Sequence, residues 1–350
     1  MTFWRHPSGL LIASAGASAL GLPLALSCAR DPVTAHLALG FDGMAGAAVS
    51  GYLAGVIGHW SGGRRPLLPG PLLAALWLAG EAGLLAGHPG VVVLQALAGL
   101  AIALPVLTAP GVTLVHRAMS MAPLALIVLL VAAPVAPADA ILAPIALILW
   151  VGGRALPAFL AAEAERRGLV PSDPPPPAPA VVLAVLGAVW PPALVAAGLL
   201  VAAAGVRMVR TLPRPDPANL MLLTVWGALA LALAAAGGER LGLIPAPLGT
   251  HALTMAAMGG MILSVAARAT MARPEGQALR PLPLHWAALA LIGAATAVRM
   301  AEFLWPPALA LAGALWSLGW AAFLAAHLPA LFRPAPAPVF SARRVQAAPD

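Results

Sequence analysis

The chain has 350 residues, of which 61% are hydrophobic and 9% charged, and its mean hydropathy is +0.93. This balance excludes an ordinary soluble globular protein and is typical of a polytopic membrane protein. All 19 basic residues are arginines. They follow the membrane topology described below, so the net charge of +7 does not indicate nucleic-acid binding. The single cysteine, Cys28, excludes an internal disulfide and a cysteine-cluster metal site.

Apolar runs of about 15–25 residues predict an all-α protein with about twelve membrane-spanning helices. The first run follows Trp4-Arg5-His6 and is too long for the apolar part of a typical signal peptide, so we expect it to be retained as a helix. The twelve runs are centred near residues 18, 47, 77, 101, 129, 151, 184, 200, 228, 257, 292 and 317.

The arginines are distributed very unequally between the two sides of this predicted topology. Fifteen fall on the side that includes both termini, and only Arg30 and Arg240 fall on the other side. Arg154 and Arg299 lie within predicted spans. Because basic residues favour the cytoplasmic side of a membrane, both termini are predicted to be cytoplasmic and the protein to lie in a bacterial cytoplasmic (inner) membrane.

The longest polar stretch divides the chain into two halves of about six helices each. It contains Arg166-Arg167 and a proline run, which favours an extended spacer over a helix. We therefore predict an N-terminal half over 1–165, a cytoplasmic linker over 166–179, a C-terminal half over 180–332, and a disordered cytoplasmic tail over 333–350.

The second half repeats the phrase Trp-Pro-Pro-Ala-Leu, which begins at Trp190 and again at Trp305. Proline is tolerated in the first turn of a helix, and tryptophan suits the membrane interface. The repeat predicts two similar helical hairpins, with a new helix starting at each copy.

Two histidines, His36 and His251, are predicted to lie at the same membrane depth on different helices. Neutral imidazole is a common ligand of metals and of porphyrin iron, so the pair is a candidate site for haem or a metal ion. Helical offsets of four, seven and eight residues place glycine and methionine on the face of each histidine. These residues are Gly40, Gly43 and Met44 for His36, and Met255, Met258 and Gly259 for His251.

These neighbours have two interpretations. Glycines beside a histidine would admit a flat macrocycle, and thioether sulfur is a ligand for haem iron or Cu(I). The alternative is structural, because methionines and glycines also pack helices in membranes.

Arg154 lies inside the sixth predicted span and requires an anion there. That anion could be the carboxylate of Asp42 or Glu81, or a bound ligand such as a haem propionate. We expect Pro157 to break the helix one turn further on.

Arg299 and Glu302 are three residues apart and are predicted to pair on their own helix. Asp42 is a candidate for proton transfer, because an ionisable residue within a span is costly and often functional.

Several segments resemble the NnrS family of bacterial membrane proteins, which is associated with haem, copper and the nitric oxide response. The similar phrases are Asp31-Pro32 with His36, Gly51-Tyr52-Leu53, His59-Trp60-Ser61-Gly62, Leu76-Trp77-Leu78-Ala79-Gly80, Gly152-Gly153-Arg154 through Pro157-Ala158-Phe159, Arg207-Met208-Val209-Arg210, His251-Ala252-Leu253-Thr254, Met261-Ile262-Leu263 and Arg268-Ala269-Thr270.

The resemblance implies a membrane protein, surrounded by lipid, that contains haem and binds nitric oxide. The haem is expected to be b-type. His36 and His251 would be the ligands and Arg154 a propionate or structural partner. The family's Trp-His-x-His-Glu phrase is here Ala35-His36-Leu37-Ala38-Leu39, which keeps one histidine. Haem is therefore favoured over copper, for which Met44, Met255 and Met258 would be the softer donors.

Two alternatives remain open. One is a secondary transporter that uses Asp42, Glu81 and Arg154 as coupling groups. The other is an accessory membrane subunit without a cofactor. The sequence contains no P-loop, dinucleotide fingerprint, HExxH motif or nucleophile elbow, so no soluble-enzyme class is indicated.

Overall fold

The computed structural model describes residues 1–29, 31–132, 137–170, 175–212, 214–273, 278–336 and 338–340. Helix accounts for 76% of the chain, and the described residues form no strand, which confirms the predicted all-α class. The predicted linker includes residues 171–174, and most of the predicted tail follows residue 340. Both lie partly outside the described ranges, and the predicted domain boundaries stay predictions.

Fourteen helices follow one another along the described residues. They are α1 (Pro7–Cys28), α2 (Pro32–Trp60), α3 (Gly70–Leu85), α4 (Val92–Leu107), α5 (Leu114–Ser120), α6 (Ala122–Ala132), α7 (Pro137–Ala140), α8 (Leu142–Arg166), α9 (Ala178–Leu186), α10 (Pro192–Thr211), α11 (Pro217–Arg240), α12 (Leu248–Ala267), α13 (Pro283–Met300) and α14 (Ala308–Ala330).

Seven of these helices, among the residues that the structure describes, are long and apolar enough to cross a membrane: α1, α2, α8, α10, α11, α12 and α14. A helix also covers each of the twelve predicted centres. The count of twelve spans stays a prediction, since α3 and α4 are shorter apolar helices. Helix α9 has nine residues, or roughly 13 Å, against a hydrocarbon core of about 30 Å.

The first compact unit comprises Met1–Ala140 together with Trp320–Phe340. In its core α1 packs against α2 and α3, and α3 packs against α4. Small residues allow these helices to approach one another closely. A Cβ added at Gly51 of α2 would lie 3.1 Å from Ile12 Cγ1 of α1. Small residues at such contacts are typical of packed membrane helices.

The second compact unit comprises Ile141–Gly319 among the described residues. Here α11 is the central helix and packs against both α10 and α12. A Cβ added at Gly198 of α10 would lie 2.6 Å from the carbonyl oxygen of Ala230, and the indole N–H of Trp226 donates to Val201 O at 3.0 Å. Glycine and a tryptophan hydrogen bond thus fix the α10–α11 pair.

An ionic network joins the ends of α8, α11 and α12 in the second unit. The buried Glu163 accepts from Arg167 at 2.7 Å, from the backbone N–H of Asp216 at 2.7 Å, and from Asn219 Nδ2 at 2.8 Å. Arg268 donates to Asn219 Oδ1 at 3.2 Å. This network supplies the buried charges with partners, as their burial requires.

The two copies of the repeated phrase each precede a new helix, as predicted. Helix α10 begins at Pro192, directly after Trp190-Pro191, and α14 begins at Ala308, after Trp305-Pro306-Pro307.

The prediction about Pro157 is wrong. Helix α8 continues through this proline to Arg166 without a break. A proline removes one backbone hydrogen bond, but neighbouring helices can compensate for that loss within an apolar bundle.

The N-terminus of α1 is capped by His6, whose Nδ1 accepts from the backbone N–H of Ser8 at 3.2 Å. Burial, and to a lesser degree the Arg65 guanidinium, lowers the pKa of His6 to about 4. The folded protein therefore favours the neutral imidazole, which is the form that can accept this bond.

We predict that His6 makes the protein less stable in acid. Its pKa is lowered on folding, so its contribution is complete above the ordinary value of 6.5 and is lost as the pH falls toward 4. Thermal unfolding of the detergent-purified protein between pH 7.5 and 4 would measure this. A His6→Asn variant keeps an N-cap acceptor that does not titrate and should lose less stability over that range. Parallel pH profiles for the two proteins would contradict the assignment.

Candidate functional site

Helix α2 has an N-cap at Asp31, and His36 lies in the second turn of the helix. Asp31 Oδ1 accepts from the Thr34 backbone N–H at 3.1 Å, and Pro32 occupies the first turn. His36 is half-buried, and its Nδ1 lies 3.4 Å from the carbonyl oxygen of Leu22 on α1. A carbonyl oxygen can only accept, so this contact assigns the proton to Nδ1 and the lone pair to Nε2.

His251 has the same arrangement in the second unit. Its Nδ1 lies 2.8 Å from the carbonyl oxygen of Pro247, one turn earlier. The preceding Thr250 is fixed by Glu239, which accepts from its backbone N–H at 2.8 Å and from its hydroxyl at 2.9 Å. The lone pair of His251 is therefore also assigned to Nε2.

A π-helical segment follows each of these histidines. The segments cover Ala38–Gly46 in α2 and Ala252–Gly259 in α12. In a π-helix each N–H bonds the carbonyl five residues back, and such segments are rare and often occur at functional sites. The offsets of four, seven and eight residues used for the sequence prediction hold for an α-helix and do not describe these turns.

The glycines after His36 face helix α1 and, at Gly43, α3 as well. A Cβ added at Gly40 would meet Leu22 Cδ2 at 3.6 Å, which is an ordinary contact. A Cβ added at Gly43 would collide with the Glu81 carboxylate and with Ser18, whose Oγ would be 2.6 Å away. The space beside Gly43 is thus occupied by side chains of this unit. The proposed role of both glycines in admitting a macrocycle stays a prediction.

The predicted methionine donors differ in burial. Met44 and Met258 are 1% and 3% exposed, and Met255 is half-buried. No group of three or more His, Cys, Asp or Glu side chains converges within the described ranges in a way that could hold a metal ion.

A tryptophan from another helix covers the last glycine of each π-helical segment. A Cβ added at Gly46 would lie 2.6 Å from the Trp77 ring, and one at Gly259 would lie 2.6 Å from the Trp316 ring. The Trp77 indole N–H also donates to Asp42 O at 3.1 Å. This role of Trp77 was not predicted from the sequence, although Trp77 stands in one of the segments that resemble the NnrS family.

Arg154 is an exposed side chain of the second unit. Its guanidinium lies over the Trp150 ring, 5.6 Å from the ring centroid, and forms no ion pair with any residue in the described ranges of this unit. By contrast, Arg299 and Glu302 form the predicted ion pair on one helix, which confirms that expectation.

A second polar group lies within the first unit, where the sequence analysis had named only two of its members. Asp42, Glu81 and Gln95 come from α2, α3 and α4, and all three are buried. Gln95 Nε2 donates to Asp42 Oδ2 and, at 3.2 Å, to Trp77 O. The signal that could have found Gln95 is a single amide within the apolar run 91–107.

The long apolar helices and the polar groups buried between them define a multi-pass α-helical membrane protein. The chain belongs to the NnrS family, because the model of that family, described as NnrS protein, matches residues 7–335, nearly the whole chain. A search of curated proteins finds no match.

We predict that Gly43→Ala destabilises the first unit by about 1–3 kcal/mol, because the added methyl group must displace Glu81 or Ser18. The measurement is the midpoint of thermal unfolding in detergent. Gly40→Ala is the matched control in the same helical segment, and it should be neutral or slightly stabilising. Equal midpoints for the two variants would show that the packing at Gly43 is not tight.

Proposed function

We propose that the protein is a b-type haem protein of the bacterial cytoplasmic membrane that binds nitric oxide and protects the cell against nitrosative stress. The observation that carries the proposal is the shared geometry of His36 and His251. In each, Nδ1 is directed at a backbone carbonyl, which assigns the lone pair to Nε2. Family membership supports the same function.

This geometry fits a ligand of haem iron. Metal-binding histidines usually donate their other ring N–H to a carbonyl or carboxylate, which fixes the tautomer and the ring orientation. The Leu22 and Pro247 carbonyls would have this role. Met44 and Met258 each place a buried thioether on the helix of one histidine. They would be softer donors for Cu(I), or for haem iron in place of an imidazole.

The positive charge of Arg154 also supports the proposal. An arginine within a membrane helix is costly unless an anion compensates it. Helix α8 is long and apolar enough to cross a membrane, and within the described part of its unit the guanidinium is only stacked on Trp150. A haem propionate would be a suitable anion, because arginine binds carboxylates in bidentate fashion.

Haem bound by these residues would supply the binding of nitric oxide at its iron. The residues of this chain would hold and orient the group: His36 in the first unit and His251 in the second would each be a candidate imidazole ligand, Arg154 would bind a propionate, and the apolar helices would exclude water.

We predict that His36→Ala and His251→Ala each lower the haem content of the purified protein at least fivefold, because an axial ligand is lost. Haem per chain is measured from the pyridine haemochrome, with iron and copper analysis on the same samples. His88→Ala is the control, since His88 is exposed in the loop that follows α3. Wild-type haem content in both the His36→Ala and the His251→Ala variant would exclude these histidines as ligands. A wild-type protein without haem would leave transport or an accessory role as the better account.

A further inference from the structure

Three buried polar side chains of the first unit lie between its apolar helices. Asp42, Glu81 and Gln95 are 2%, 4% and 0% exposed, and each comes from a different helix. Two carboxylates in such a place are costly, and natural membrane proteins retain them where a partner compensates the charge. No basic side chain among the described residues of this unit forms an ion pair with either carboxylate.

Glycines bring the three helices together at this point. Gly80 admits Gln95, since a Cβ added there would lie 2.6 Å from Gln95 Cγ. Gly43 admits Glu81 and Ser18 in the same way. Gly80 is adjacent to Glu81, and Gly43 is adjacent to Asp42. These contacts therefore bring side chains of α1, α2, α3 and α4 into one cluster.

The cluster contains oxygen acceptors that receive no donor. Glu81 Oε2 and Gln95 Oε1 are both fully buried and have no hydrogen-bond partner. The amide nitrogen of Gln95 donates to Asp42 and to Trp77 O, and these two bonds fix the orientation of the amide. The Ser18 hydroxyl donates to Ser14 O at 3.0 Å, and its oxygen lies beside the Glu81 carboxylate at Gly43. An unsatisfied buried acceptor costs about 1–3 kcal/mol.

We propose that this cluster is a binding site for one sodium ion, with Asp42, Glu81, Gln95 and Ser18 as its oxygen donors. A sodium ion would coordinate the orphaned oxygens of Glu81 and Gln95 and compensate carboxylate charge in a single step. It would also tie four helices together, and its binding would therefore stabilise the first unit.

The donor set selects the class of cation. All four donors are oxygens, which suit hard cations and not the softer transition metals. Calcium takes six to eight oxygen ligands, a number that these four side chains reach only if both carboxylates bind through both oxygens, and magnesium usually keeps several waters. Asp42 Oδ2 already accepts from the Gln95 amide. The remaining oxygens, in buried and apolar surroundings, therefore favour a small monovalent cation.

This site is independent of the proposed haem function. None of its four proposed donors is a residue proposed to contact haem or its propionates, and their substitution should leave haem content unchanged. Haem content is therefore measured alongside each experiment below, so that failure of one proposal is distinguished from failure of the other.

The test is the thermal unfolding midpoint of the full-length protein in detergent at constant ionic strength, with NaCl exchanged for choline chloride. We expect sodium to raise the midpoint of the wild type by about 3 °C or more. Direct binding of ²²Na⁺ should give about one ion per chain. Glu81→Gln keeps the shape of the side chain and removes a charged donor, and it should abolish both effects. Ser50→Ala, at a buried hydroxyl of α2 outside the cluster, should retain them.

If Glu81→Gln does not fold, Ser18→Ala is the second test variant. It should weaken ²²Na⁺ binding at least tenfold. Equal midpoints of the wild type in sodium and choline would overturn the proposal. So would a sodium effect that survives both substitutions, since the ion would then bind elsewhere. Stabilisation by low pH or by CaCl₂, with none by sodium, would show that the cluster takes a proton or a divalent ion instead.

Discussion

A lipid environment offers no hydrogen bonds, so the polar groups within the apolar helices depend on partners from the protein itself. Ser14 and Ser18 donate to carbonyls four residues back on their own helix. The indole of Trp77 and the imidazole of His36 instead bond carbonyls of neighbouring helices. These cross-helix bonds fix the rotation and depth of each helix in a way that apolar contacts alone do not. The orientation of the candidate ligand His36 therefore follows from the same constraint that holds α1, α2 and α3 together.

The backbone of α2 and of α12 departs from α-helical geometry directly after its histidine. A π-helical turn costs stability, and it persists where the surroundings compensate it. Here the compensation is visible as a tryptophan ring packed on a glycine at the end of each segment. The recurrence of histidine, π-helical segment and covered glycine in both units suggests that the two helices have equivalent roles. In α2 the segment also carries Asp42 to the Gln95 amide, which connects the backbone distortion to the buried acidic cluster.

The helical class, the family, the helix starts after Trp190 and Trp305, and the Arg299–Glu302 pair could be predicted from the sequence, because each depends on local patterns. The continuity of α8 through Pro157 could not, since it depends on how neighbouring helices compensate the lost backbone bond. The partners of Gly43 and Gln95 are set by contacts between helices distant in sequence. The π-helical segments could not be predicted from a pattern of α-helical periodicity. The residues that share a face with His36 therefore could not be predicted from α-helical offsets.

The central claim is that this NnrS family protein carries haem that binds nitric oxide. The most direct measurement is the absorption spectrum of the wild-type protein, purified in detergent from cells with ample haem and recorded oxidised, reduced, and reduced with nitric oxide. The account predicts a Soret band, about one iron per chain, and a shift of that band when nitric oxide is added. A colourless, iron-free protein, or a haem spectrum unchanged by nitric oxide, would contradict it.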